Sequence, residues 1–92
     1  MREQIFKMIN KERENQIAMY GYRQHDPFHI FTALTEEVGE LAEAIQETYG
    51  SVRRHPDRGG IEPMKKEAIQ VAAMAVKILE EVVLVEGACT DG

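Results

Sequence analysis

Phe31, Leu34, Val38, Leu41 and Ile45 recur at alternating spacings of three and four, the period of one apolar face of a helix. Asp26 and Pro27 mark where that helix begins. An aspartate there accepts the free N–H groups of the first turn, and proline fits the first helical position because it has no N–H to lose. Gly50, after Tyr49, marks its end. Upstream, Ile5, Met8, Ile9, Ile17 and Tyr20 outline a first helix over 2–20, with a polar middle from Asn10 to Gln16 and a stop at Gly21. Downstream, a loop over 50–62 contains Gly50, Pro56, Gly59 and Gly60, which break regular structure. A third helix is expected to open at Pro63 and to end near Glu86, before Gly87.

These elements predict an all-α fold with three main helices, in one domain over 1–87 followed by a disordered tail over 88–92. From Ala68 to Val76 the third helix is apolar on nearly every face, with Gln70 the exception. A helix of that kind needs cover on all sides. Ala68, Ala72 and Ala75 let a neighbour approach closely. Three short helices cannot supply that cover, so the helical bundle is expected to be completed by dimerisation. The length of 92 residues points the same way, since so small a domain buries only about two-thirds of its unfolded surface.

Charge narrows the function. Sixteen acidic against 11 basic residues give a net charge of −5. That argues against duplex nucleic acid as a partner, because duplex binding needs clustered positive charge. A nucleotide remains open, since a metal ion can offset acidic side chains. The single cysteine, Cys89, cannot form an intrachain disulfide. Arg2, Glu3 and Lys7 argue against a signal peptide, and no segment approaches the roughly 18 apolar residues that span a bilayer. No membrane association and a cytoplasmic location are therefore expected.

The run from Glu36 to Glu43 holds four carboxylates: Glu36, Glu37, Glu40 and Glu43. At about 100° per residue, Glu37 lies about 60° around the helix from Leu34, and Glu40 about 60° further. Glu37 and Glu40 thus sit at the edge of the apolar face, one turn apart, while Glu36 and Glu43 point toward solvent. Ala33 and Ala44 beside them leave room for a ligand. On the third helix Glu67 and Gln70 repeat the spacing, and Met74 and Lys77 continue their stripe. A glutamate-rich run alone is usually a solvated face. Two such pairs, brought together by packing of the helices, are a different matter, because half-buried carboxylates repel one another and call for a counter-charge. Mg²⁺ suits that demand, since it takes hard oxygen ligands and completes its octahedron with waters and phosphates; Mn²⁺ is an alternative.

Other groups bear on a phosphate ligand. Lys77 shares the Glu67–Gln70 stripe and can reach a phosphate, or simply solvent. Arg53, Arg54 and Arg58 lie on the loop, where they can close over a triphosphate or remain solvated. Phe28, His29 and Phe31 precede the acidic run and can stack on a base or pack in the core. His25 and His29 are four apart, but the helix start between them argues against a zinc pair.

Glu37-Val38-Gly39-Glu40 followed by Glu67-Ala68-Ile69-Gln70 resembles the paired E-x-x-E and E-x-x-D motifs of the MazG-like nucleotide pyrophosphohydrolases, in the all-α NTP pyrophosphatase superfamily. The surrounding run from Leu34 to Ile45 is typical of that family. Glu12-Arg13-Glu14-Asn15-Gln16 and Gln70-Val71-Ala72-Ala73 resemble its small phage-type members. The likeness spans residues 10–82. It implies Mg²⁺-dependent cleavage of a nucleoside triphosphate to the monophosphate and pyrophosphate, by a dimer or dimer of dimers. Carried over, it makes Glu37, Glu40, Glu67 and Gln70 the metal-binding positions and Glu36 the residue that orients or deprotonates water, with Glu37 counted beside it as catalytic. Gln70 departs from the motif, bringing an oxygen but no charge. The alternative is a non-catalytic nucleotide- and metal-binding helical oligomer of the same fold.

Overall fold

The computed structural model describes residues 1–21 and 26–90, with the backbone alone from 84 onward. The fold is all-helical: α1 spans Arg2–Tyr20, α2 Pro27–Tyr49 and α3 Ile61–Thr90, with a single 3₁₀ turn at Pro56–Arg58. α3 is the central element and packs against both α1 and α2. No helix among the described residues is long and apolar enough to cross a membrane.

The ends of α1 and α2 follow from local chemistry. Gly21 takes φ 80°, the left-handed region glycine enters without penalty, and its N–H donates to Ile17 O at 2.7 Å. Asp26 Oδ1 accepts the Phe28 N–H at 2.9 Å, and Pro27 occupies the first turn. α3 differs from its expected bounds at both ends. It opens at Ile61, two residues before Pro63, because a proline in the first turn removes only an N–H that has no intrahelical acceptor. It also continues through Gly87 to Thr90, into the stretch expected to be a disordered tail. One interior glycine costs a helix only about 1 kcal/mol, too little to stop one already propagating. Positions 91–92 of that tail lie outside the described residues.

The loop between α2 and α3 is fastened to the end of α2. Glu47 accepts the Arg54 N–H at 3.1 Å, and Thr48 Oγ1 accepts the Gly60 N–H at 2.6 Å while donating to Ala44 O at 2.6 Å. Gly59 crosses so close to α2 that a Cβ there would meet Glu47 O at 2.5 Å.

Packing within one chain departs from the apolar stripe. The buried line on α2 runs through Ile30 and Ala44, each one heptad from Glu37 between them, and ends at Glu47. Phe31, Val38 and Ile45 are left 63%, 47% and 46% exposed. Among the described side chains of α3 only Ala73 is a fully buried apolar residue, while Ala68, Ala75 and Leu79 are exposed. The all-round apolar surface of α3 is therefore covered on the sides facing α1 and α2 and open on the remaining one.

Candidate metal centre

Glu37 and Glu40 lie one turn apart on α2, as their spacing requires, and Glu67 faces them from the second turn of α3. One carboxylate oxygen from each of Glu37, Glu40 and Glu67 falls within 4.8 Å of the others. Glu37 and Glu67 are half-buried and Glu40 is exposed. Gln70, one turn beyond Glu67, bridges the helices: its side-chain nitrogen, in the orientation that satisfies both neighbours, donates to Glu37 Oε2 at 2.8 Å and Glu67 Oε2 at 3.1 Å. These pairings fix an antiparallel register for α2 against α3, with 37 opposite 70.

Three carboxylates so close alter one another's ionisation. Burial raises the Glu37 pKa from 4.5 to about 7, with further contributions from the Glu40 charge and from sharing a proton with Glu67. Burial raises Glu67 as well, followed by its interactions with Glu40, while the hydrogen bond with Glu37 and then the Lys66 ammonium pull the other way. At neutral pH the cluster thus holds a proton that a cation can replace. The donor set is all hard oxygen, carries up to three negative charges, and is open on one side through Glu40. That set fits Mg²⁺ or Mn²⁺.

Two cavities flank the cluster. The first, about 420 Å³, lies where the three helices meet and includes Glu37, Gln70, Met74 and Lys77. The second, about 720 Å³, includes Glu40, Glu67, Arg58 and Lys66. The cluster therefore stands between a largely apolar recess and a charged one.

The other candidates distribute unevenly. Lys77 lines the first cavity and is only 8% exposed. Arg58 lines the second and pairs with Glu43 at 3.0 Å. Arg53 and Arg54 sit on the exposed loop and line neither cavity; Arg53 Nε donates to Gly50 O at 3.2 Å. Phe28 is 82% exposed at the start of α2 and lines neither, although His29 next to it borders the first. Glu36 is exposed, outside the carboxylate cluster and both cavities. His25 lies outside the described residues.

Two site residues have no clear signal in the sequence. Arg13 is 6% exposed and binds both oxygens of Glu80, Nε at 2.8 Å and Nη2 at 3.2 Å. It sits in the polar middle of α1, where its pattern reads as solvated, and its partner is 67 residues away. Lys66 is the other; its only sequence cue is adjacency to Glu67. Comparison with family models, with curated proteins and with solved structures found no match.

Proposed function

We propose that this chain is a Mg²⁺-dependent nucleoside triphosphate pyrophosphohydrolase, as its resemblance to the MazG-like enzymes implies. The observation that carries the reading is the convergence of Glu37, Glu40 and Glu67 from two helices, within 4.8 Å, between two cavities, the second of which sets Arg58 and Lys66 among four glutamates. Glu37, Glu40 and Glu67 would hold the ion, with the Gln70 oxygen available after an amide rotation. Bound there, Mg²⁺ supplies charge neutralisation for the phosphates and a lowered pKa for the attacking water. The chain's own groups do the rest. Ala33 and Met74 enclose the nucleoside, and Arg58 and Lys66 meet the departing pyrophosphate with positive charge. Glu36, to which the resemblance assigns the water, would reach the cluster only by a change of side-chain position.

A homodimer, or a dimer of dimers, belongs to the same proposal. The open Phe31–Val38–Ile45 stripe on α2 and the open side of α3 are the apolar surfaces available to form one. A cytoplasmic setting accords with a nucleotide substrate.

The test is incubation with a panel of NTPs and dNTPs plus Mg²⁺ or Mn²⁺, scoring pyrophosphate release. Release that is lost in Glu37→Gln supports the reading; no release from any nucleotide rejects it. One observation favours the second reading, a nucleotide-binding protein without turnover. Gln70 already spans Glu37 and Glu67 with two hydrogen bonds, an arrangement that holds the site together without a fourth charge. Calorimetry showing Mg²⁺-dependent nucleotide binding without hydrolysis selects it.

A further inference from the structure

The exposed side of α2 follows a regular plan. Phe31, Thr35, Val38, Ala42, Ile45 and Tyr49 are all exposed and recur at spacings of four and three, the seam of a helix that packs along another helix. At about 100° per residue they fall within about 40° of one line along α2. The charged residues of α2 are its five glutamates, at 36, 37, 40, 43 and 47, and every one lies about 120° or more from that line. A face built for water would carry some of them.

Two details mark this face as one that meets a surface. Gly39, beside the line and exposed, weakens the middle of the helix, yet a Cβ there would meet nothing within 4 Å. No contact within the chain therefore calls for glycine. The Thr32 and Thr35 hydroxyls donate to Phe28 O and Phe31 O at 2.8 and 2.9 Å, so neither depends on water for an acceptor.

We infer that this face is the seam of a homodimer in which α2 packs antiparallel on α2 of a second copy, about a two-fold axis at Val38 and Gly39. The sequence complements itself in that register. Val38 meets the second copy's Val38, Phe31 its Ile45, Thr35 its Ala42 and Phe28 its Tyr49. Gly39 faces its own counterpart, and close approach of two backbones supplies the reason for glycine there. Phe28, Phe31 and Tyr49 are 82%, 63% and 69% exposed. At roughly 150–250 Å² each, these rings alone offer about 400 Å² per copy, half of the ~800 Å² that each partner gives to a standard interface. Val38, Ile45 and the smaller residues between them add to it. A seam without charge is also what lets two chains of net charge −5 meet. The exposed line on α3, through Ile61, Ala68 and Leu79, has no aromatic residue and includes the charge of Lys65. The inference deepens the dimer of the proposed function and does not depend on its chemistry.

The experiment is sedimentation of the full chain, joined to cysteine cross-linking on a Cys89→Ser background. Val38→Cys should form a disulfide-linked dimer on oxidation, because equivalent residues meet only at a two-fold axis. Leu79→Cys, on α3, should link at least tenfold less. Thr35→Lys or Ala42→Glu alone should weaken the dimer at least tenfold, since each puts a charge into the seam from both copies. The two together should restore it, because the antiparallel register sets each added ammonium against an added carboxylate of the other copy. Within one helix these positions are seven apart and cannot pair. Both are exposed, so the single chain should keep its fold, which unchanged circular dichroism checks. A wild-type monomer overturns the seam and the dimer together. A dimer that links through Leu79→Cys in place of Val38→Cys, that neither single substitution weakens, or that the double substitution does not restore overturns the seam and leaves the dimer standing. The hydrolase reading is decided separately, by pyrophosphate release.

Discussion

Removing divalent metal and raising the pH should destabilise this protein, and the size of the effect follows from Glu37. Its pKa stands at about 7 in the folded chain against 4.5 for an ordinary glutamate. The folded state therefore holds the proton more tightly than the unfolded one. That contribution is fully present below pH 4.5 and is lost as the pH rises through 7, where an ionised Glu37 must be kept beside Glu40 and Glu67. The gap between the two values is worth about 3 kcal/mol at most, and partial exposure of the carboxylate reduces it to ~2 kcal/mol. For a domain of this length each kcal/mol moves Tm by about 4–8 °C, so the metal-free protein should melt about 10 °C lower at pH 8 than at pH 5. Mg²⁺ competes with that proton. Binding at pH 6 must displace it and at pH 8 need not, so the apparent Kd should weaken by about tenfold from pH 8 to pH 6. Thermal melts in EDTA and in excess Mg²⁺ across this range measure the first effect. Calorimetry in two buffers of different ionisation enthalpy counts the released proton. A Glu37→Gln variant should lose most of both dependences. A Mg²⁺ affinity that does not change with pH, or a wild-type melting profile identical to that of Glu37→Gln, would refute the reasoning.

Three further outcomes are expected. Arg13→Met strips the Glu80 carboxylate of two N–H donors in a partly buried position, and should cost about 2–4 kcal/mol in urea unfolding. Gln70→Asp removes the amide that donates to Glu37 and Glu67 and adds a fourth negative charge; the metal-free protein should lose about 1–3 kcal/mol while Mg²⁺ binds more tightly, both read by melting with and without the ion. Val38→Glu puts a charge in the middle of the exposed α2 stripe, and sedimentation should then report a monomer where the parent chain sediments as a dimer or larger.

What could be read from sequence and what could not divides along one physical line. Asp26-Pro27, Gly21 and Gly50 act on their own first or last turn, so helix ends governed by them are visible in a few adjacent residues. The α3 ends were not, because Pro63 and Gly87 are tolerated once neighbouring turns are formed. Facing is less local still. The Phe31–Leu34–Val38–Leu41–Ile45 stripe is a true apolar face, yet the chain's own contact is centred on Ile30, Glu37 and Ala44. Hydrophobic period reports how much surface must be covered, not which helix covers it. The carboxylates of Glu37 and Glu40 were legible because a spacing of three fixes their direction, and their meeting with Glu67 needed only antiparallel packing.

Buried charge is where single-sequence reasoning fails, and the reason is that its energetics depend on a distant partner. Arg13 belongs to a polar segment and is indistinguishable by pattern from its exposed neighbours Lys11 and Glu14; burial is tolerable only because Glu80 arrives from α3. Glu47 repeats the point, buried at 6% with Oε1 accepting the Arg54 N–H and Oε2 without a hydrogen bond among the described residues. A buried carboxylate oxygen without a hydrogen bond costs free energy. At the acidic cluster the same cost falls on Glu37 and Glu67, and there a proton offsets it at low pH and, on the proposed reading, a divalent cation offsets it at high pH. The cluster is thus destabilised most under the conditions in which it would bind a cation best, which is the behaviour the proposed metal site requires.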